Sequence, residues 1–161
     1  MTKSSNNNHH VGTLIVALVL ALSFMSLGGV AQAGFIKGMS AQQLSRELKA
    51  WLVAGKSLAA IAKATHEAGL KSEQVASILI GSGQSPAGVV SALTRVDPQA
   101  ATAITVAALT IKPAQAAVIT AAAISAAPQQ SRAIILEALT VPEVDPSDVL
   151  FATAAGGGKG Q

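Results

Sequence analysis

The chain contains no cysteine and no tyrosine, and its aromatic side chains stop at three phenylalanines and one tryptophan in 161 residues. Without cysteine there are no disulfides, no thiolate nucleophile and no sulfur ligands for zinc or an iron–sulfur cluster. Without aromatic platforms, a surface on which bases or sugar rings stack is not expected. Charge is also scarce, at 12% of residues, with eleven Lys and Arg against eight Asp and Glu. That balance lacks the dense basic face of a nucleic-acid binder, so no nucleic-acid partner is expected. Beyond His9 and His10 the only histidine is His66.

What is abundant is small and apolar. The first 33 residues have three zones: a polar start with Lys3, an apolar run from Val11 to Leu27, and Gly28-Gly29-Val30-Ala31-Gln32-Ala33. Small residues at Ala31 and Ala33 after helix-loosening glycines form the pattern that signal peptidase recognises, which predicts a cut after Ala33. The apolar run is short of the ~20 residues of a membrane span, so a cleaved signal is preferred to an uncleaved anchor. There is no arginine pair before it and no cysteine to carry a lipid. The expectation is therefore a bacterial protein of the periplasm or the extracellular space. Its domains are a signal peptide at 1–33, a helical domain at 34–155 and a flexible glycine-rich tail at 156–161.

Periodicity is the strongest internal signal. Pro98, Pro113 and Pro128 are fifteen residues apart, and Ile104, Ile119 and Ile134 follow at the same spacing. Ala108, Ala123 and Ala138 make a third column, and Leu109, Ile124 and Leu139 a fourth. Such repeats are stacked units that share a continuous core. Asp97-Pro98 and Asp145-Pro146 have the chemistry of helix starts, with a capping acid followed by a proline whose missing N–H would be unpaired anyway. Ser85-Pro86 matches them, and Ser40 with Gln43 forms a capping box. These signals place eight helix starts at 40, 57, 72, 85, 97, 112, 127 and 145. The insertion at Pro142-Glu143-Val144 is expected to break the phase before the last helix. Apolar stripes agree: Leu44, Leu48, Trp51 and Leu52 share a face, as do Val89, Val90, Leu93 and Val96. The fold class is all-α, either a solenoid-like stack of short helical hairpins or a small irregular helical bundle.

The proline, isoleucine and alanine columns, with Gln99, Gln115 and Gln129 just past the prolines, resemble over Gly83 to Ala155 the Ala-rich helical repeats of uncharacterised exported proteins of proteobacteria. That resemblance covers roughly half of the chain beyond residue 33. It implies export and a repeat fold, and it implies no activity.

Catalysis needs groups that move protons, attack or polarise. His66 and Glu67 are neighbours in sequence, so on a helix they point about 100° apart and do not converge. Asp145 and Asp148 are accounted for as caps, and Glu137, Glu143 and Asp97 are dispersed. No catalytic residue, metal ligand or cofactor site is assigned, and no enzymatic activity or cofactor is expected. The expected role is a structural or interaction protein whose partner is another protein or a second copy of itself. A membrane-active or lipid-binding protein is the alternative, disfavoured because the long uncharged stretches carry too few basic residues on their polar faces.

Overall fold

The computed structural model describes residues 34–156, and the signal-peptide segment with Ala31 and Ala33 lies outside them, as does the tail beyond Gly156. The described residues form eight α-helices and no strand. They are α1 (Ala41–Val53), α2 (Leu58–Glu67), α3 (Ser72–Gly81), α4 (Pro86–Val96), α5 (Ala101–Ile111), α6 (Ala116–Ala126), α7 (Ser131–Ala138) and α8 (Pro146–Gly156).

Local sequence accounts for where each helix begins and ends. The Ser40 hydroxyl accepts from the Gln43 N–H while the Gln43 side chain accepts from the Ser40 N–H, completing the capping box of α1. The first three helices end on glycines, Gly55, Gly69 and Gly83, all at positive φ. At Gly69 the next amide, of Leu70, reaches back to the Thr65 carbonyl, which closes the last turn in a conformation that a side chain would oppose. At the ends of α4, α5 and α6 the stop signal changes. Asp97, Lys112 and Ala127 each precede a proline, whose ring clashes with a helical conformation of the residue before it. All three leave the helix near φ −130° to −137°.

The prolines themselves correct one expectation. Pro98, Pro113 and Pro128 do not open α-helices; each opens a three-residue 3-10 turn, and the α-helix starts three residues later. Asp97 makes no side-chain capping bond. The expected break of phase is also absent. Helices α4 to α8 begin at Pro86, Ala101, Ala116, Ser131 and Pro146, fifteen residues apart throughout. Helix α7 is short, and residues 139–145, with Glu143 at φ 66°, fill the space that a 3-10 turn occupies elsewhere.

Each helix packs chiefly against the one two places along. The chain therefore alternates between two rows, α1-α3-α5-α7 and α2-α4-α6-α8, and builds an open-ended stack. One column runs its whole length: Leu44, Ile61, Val75, Val89, Ile104, Ile119, Ile134 and Val149, one per helix, each at 0% exposure. Burial of each such side chain is worth about 1.5–3 kcal/mol. Around this spine sit small buried residues, including Ala101, Ala108, Ala116 and Ala123, which let helices approach closely. The buried Thr105 hydroxyl bonds back to the Ala101 carbonyl at 2.7 Å, so it enters the core satisfied. Its counterpart Thr120, and Thr94 on α4, find no hydrogen-bond partner among the described residues.

At α8 the Asp145 carboxylate accepts from the Ser147 hydroxyl at 2.7 Å and from the Ser147 N–H at 2.9 Å. These bonds, the hydroxyl first, hold its pKa below the usual carboxylate value. A depressed carboxylate stabilises above its unfolded pKa, and that contribution disappears as pH falls through the folded pKa. On acidification below the ordinary carboxylate range, the first turn of α8 is expected to lose amide-exchange protection. The step should vanish in Asp145→Asn; persistence of an unchanged step there would assign it to another group.

Candidate functional site

Two places in the stack gather unusual residues. The first is polar. His66 lies near the end of α2, Ser72 opens α3, and Asp97 follows the last residue of α4. The Ser72 hydroxyl donates to Asp97 Oδ2 at 2.9 Å, and His66 Nδ1 stands 3.8 Å from the same oxygen. Both Ser72 and Asp97 sit where caps would be expected, yet Lys71 is the N-cap of α3 and makes no side-chain bond there. The two residues satisfy each other across 25 positions instead.

This trio has the residue types of a nucleophilic triad in a different order. In a triad the serine proton faces the histidine and the carboxylate orients the far side of the ring. Here the carboxylate stands between the other two, the serine proton is committed to it, and Ser72 is 5% exposed. The geometry suits a tie between three consecutive helices. Asp97→Ala is expected to cost about 1–3 kcal/mol, because it strands the buried Ser72 hydroxyl. The double variant with Ser72→Ala should recover part of that loss in urea denaturation; equal losses would show that the bond contributes little. His66, about half exposed, adds little, as a pair open to solvent does. Among the described residues no group of three or more His, Asp or Glu side chains gathers around a point where a metal could sit.

The second place is apolar and lies at the end of the stack. Leu136 and Leu139, on and just after α7, are 56% and 40% exposed, and Leu150 and Phe151 on α8 are 57% and 70% exposed. For Leu139 and Leu150 the columns explain why, whereas Leu136 and Phe151 share a column whose earlier members, Ser91, Val106 and Ala121, are half-buried. Of the residues that precede Leu150 at fifteen-residue steps, Val90, Thr105 and Thr120 are fully buried, and Ile135 on α7 is half-buried. Leu109 and Ile124, which precede Leu139, are 0% and 7% exposed. Inside the stack these columns are covered by further helices, and α7 and α8 have no helix two places along among the described residues. A polar side chain is what a closing repeat ordinarily places there. This chain places leucine and phenylalanine.

A shallow groove of about 460 Å³ also runs across α3, α5 and α7, with Val106 and Ala107 in its lining and Glu73 and Glu137 among the residues that flank them. None of the described helices is long and apolar enough to cross a membrane. Compared with known proteins, the chain matches no family model, no curated protein and no solved structure.

The sequence-level expectations meet these places unevenly. Asp97 was expected to cap a helix and instead bonds Ser72. The signal-peptidase residues Ala31 and Ala33 fall outside the described residues. The apolar end was not anticipated, although its signal is present in the columns: side chains grow from Thr105 and Thr120 through Ile135 to Leu150 in the last of the described helices.

Proposed function

We propose that this chain is an exported, non-enzymatic structural or interaction protein of the bacterial envelope or extracellular space. The observation that carries the interaction role is the apolar end at α7 and α8, which no described helix covers. A patch of large apolar side chains, of which Leu139 and Leu150 stand in columns buried at α4 to α6, is a contact surface awaiting an occupant. Export is supported by the apolar run from Val11 to Leu27 followed by Ala31-Gln32-Ala33.

The absence of native cysteine makes a clean test available. A Leu150→Cys variant carrying a photo-activated crosslinker, expressed in its native cell, should give a discrete product of defined mass. A Ser82→Cys control, placed on an exposed turn remote from the patch in sequence, should not. Crosslinking at background level from both positions would sink the interaction role. For export, the protein recovered from the envelope fraction should begin at Gly34; an intact Met1 terminus in the cytoplasm would remove that half of the proposal.

The exposed pair Leu150 and Phe151 also favours, as a second candidate, a lipid surface. Against it, Glu143, Asp145 and Asp148 lie in the segment between Leu139 and Leu150 and add negative charge near the patch, which anionic membranes repel. Dye release from anionic vesicles by the purified protein would support the lipid role, and silence would remove it.

A further inference from the structure

We infer that the stack attaches end-on to an anionic phospholipid bilayer, with the α1–α2 end against the headgroups and the α7–α8 end turned away. This inference rests on the envelope role above and names the surface that holds the chain there.

The first observation is the segregation of charge along the stack. From Gly34 to Ala64 the chain exposes Lys37, Arg46, Lys49, Lys56 and Lys63 against one acid, Glu47. From Ser131 to Gly156 it carries Arg132 against Glu137, Glu143, Asp145 and Asp148. The fold sets these segments at opposite ends, because each helix packs chiefly on the one two places along. A negatively charged plane therefore attracts one end and repels the other, and orientation follows from the charge pattern. The cleavage proposed above adds the ammonium of Gly34 to the basic end.

The second observation is the outer face of α1. Gln42, Arg46, Lys49, Ala50 and Val53 recur at helical spacing and are all exposed, opposite the buried Leu44 and Leu48. Glu47 lies about 100° around the helix from Arg46, so the stripe itself holds no acid. Lys56 follows in the turn, where its N–H donates to the Trp51 carbonyl at 3.0 Å. In this basic setting Val53 is 87% exposed, more than any other large apolar side chain among the described residues. Ile36, beside Lys37, is also exposed.

This mixture selects the kind of anion. Basic side chains alone would suit any polyanion. A valine projecting among them suits a surface whose phosphates lie directly over hydrocarbon, since the lysine stems reach the headgroups while the valine enters the layer beneath. A polysaccharide in water offers anions and no such layer. Lys63 stays available to the headgroups, because its contact with Glu67 is 3.9 Å long and open to solvent. The uncharged stretches of the later helices take no part, so the bilayer stays sealed. Leu150 and Phe151 are then presented away from the lipid, toward a protein partner.

The test mixes the protein, as the cell delivers it, with vesicles of phosphatidylcholine and phosphatidylglycerol in equal parts, and with vesicles of phosphatidylcholine alone. Co-sedimentation is expected with the first and not with the second. It should fall steeply between about 0.1 and about 1 M salt, as the screening length shortens from about 10 to about 3 Å. Arg46→Gln with Lys49→Gln should weaken binding about 25-fold, at about fivefold per basic side chain. Lys112→Gln with Arg132→Gln removes the same charge elsewhere and should change binding by less than about twofold. Val53→Ser should weaken binding about tenfold. All these positions are exposed, so helicity should not change. Ala50→Cys and Leu150→Cys, each carrying an environment-sensitive fluorophore, report the orientation: on anionic vesicles the first should shift to the blue and the second should not.

No binding to anionic vesicles at low salt, or equal binding to neutral ones, would overturn the inference. Equal losses from the two glutamine pairs would show that net charge and not the α1 face is read, which sinks the end-on arrangement. A blue shift at Leu150, or release of trapped dye, does the same. Binding to immobilised dextran sulfate with none to vesicles would put an anionic polysaccharide in place of the lipid. These readouts are separate from the envelope role, which depends on the Gly34 terminus and the Leu150 crosslink; either can fail while the other stands.

Discussion

Ile104→Ala is expected to lower the stability of the fold by about 2–5 kcal/mol, the range for removing a large aliphatic side chain from a packed core. Ile104 is fully buried and belongs to the column that contributes one residue to each helix. Its helix, α5, has α3 and α7 on either side in its own row and also touches α4 and α6. Few sites in the stack have so many walls, so little collapse can refill the space. Because each helix touches only near neighbours, the loss also weakens the coupling between the two halves of the array. Urea denaturation followed by helicity should therefore shift to lower denaturant and also broaden. Val149→Ala, at the end of the same column, should cost less and leave the transition sharp, since α8 has a row neighbour on one side among the described helices. A loss below about 1 kcal/mol for Ile104→Ala, within the ordinary scatter of mild substitutions, would show that the column is not the spine of the fold.

That column was legible before any coordinates. Isoleucines at 104, 119 and 134 keep a period of fifteen, and the helix count of eight follows from the spacing of the start signals. What failed was the fine placement at proline. Asp-Pro is a good start for an α-helix, and at Asp145-Pro146 it is one. At Asp97-Pro98 the same dipeptide opens a 3-10 turn, as Lys112-Pro113 and Ala127-Pro128 do. The repeat rule prevails over the local dipeptide, because the buried columns must arrive at fifteen-residue steps. A clue was available: neither Lys112 nor Ala127 can cap, so the position before these prolines does not call for a capping residue.

The two-row arrangement was not legible, because a bundle of hairpins and an open stack place apolar residues at the same helical spacing. Neither was the bond between Ser72 and Asp97. Local rules claim both residues for helix caps, and only a tertiary contact diverts them. The uncovered end lies between these cases. Periodicity supplies the column, so the growth from Thr105 and Thr120 to Leu150 can be seen in the sequence. Which columns turn toward the next helix in the row depends on the stack itself.

Ala123→Leu tests the other half of the packing, the closeness of the helices. Ala123 is at 0% exposure on α6, which lies between α4 and α8 in its row. Earlier in the chain its column holds Leu79 and Leu93, both buried, and from α5 onward it holds Ala108, Ala123 and Ala138. The change from leucine to alanine means that space which a side chain fills near the start is taken up near the end by neighbouring helices. Restoring leucine at 123 must push a helix away, since a close-packed interior has no room for three more carbons. The expected cost is about 1–3 kcal/mol. Ala59→Leu, at an exposed position on α2, should change stability by no more than about 0.5 kcal/mol and controls for the substitution itself. The strain should be relieved where resistance is least. Helix α8 is held in its row by α6 and has little contact with α7, so it should yield before α4 does. Amide exchange is then expected to accelerate in α8 first, with α4 still protected. The apolar end shares that helix, so the same substitution should lower the crosslink yield at Leu150 although it lies outside the patch. Uniform loss of protection across α4 and α8 would show instead that the stack unfolds as one unit and that its end is not a separately mobile surface.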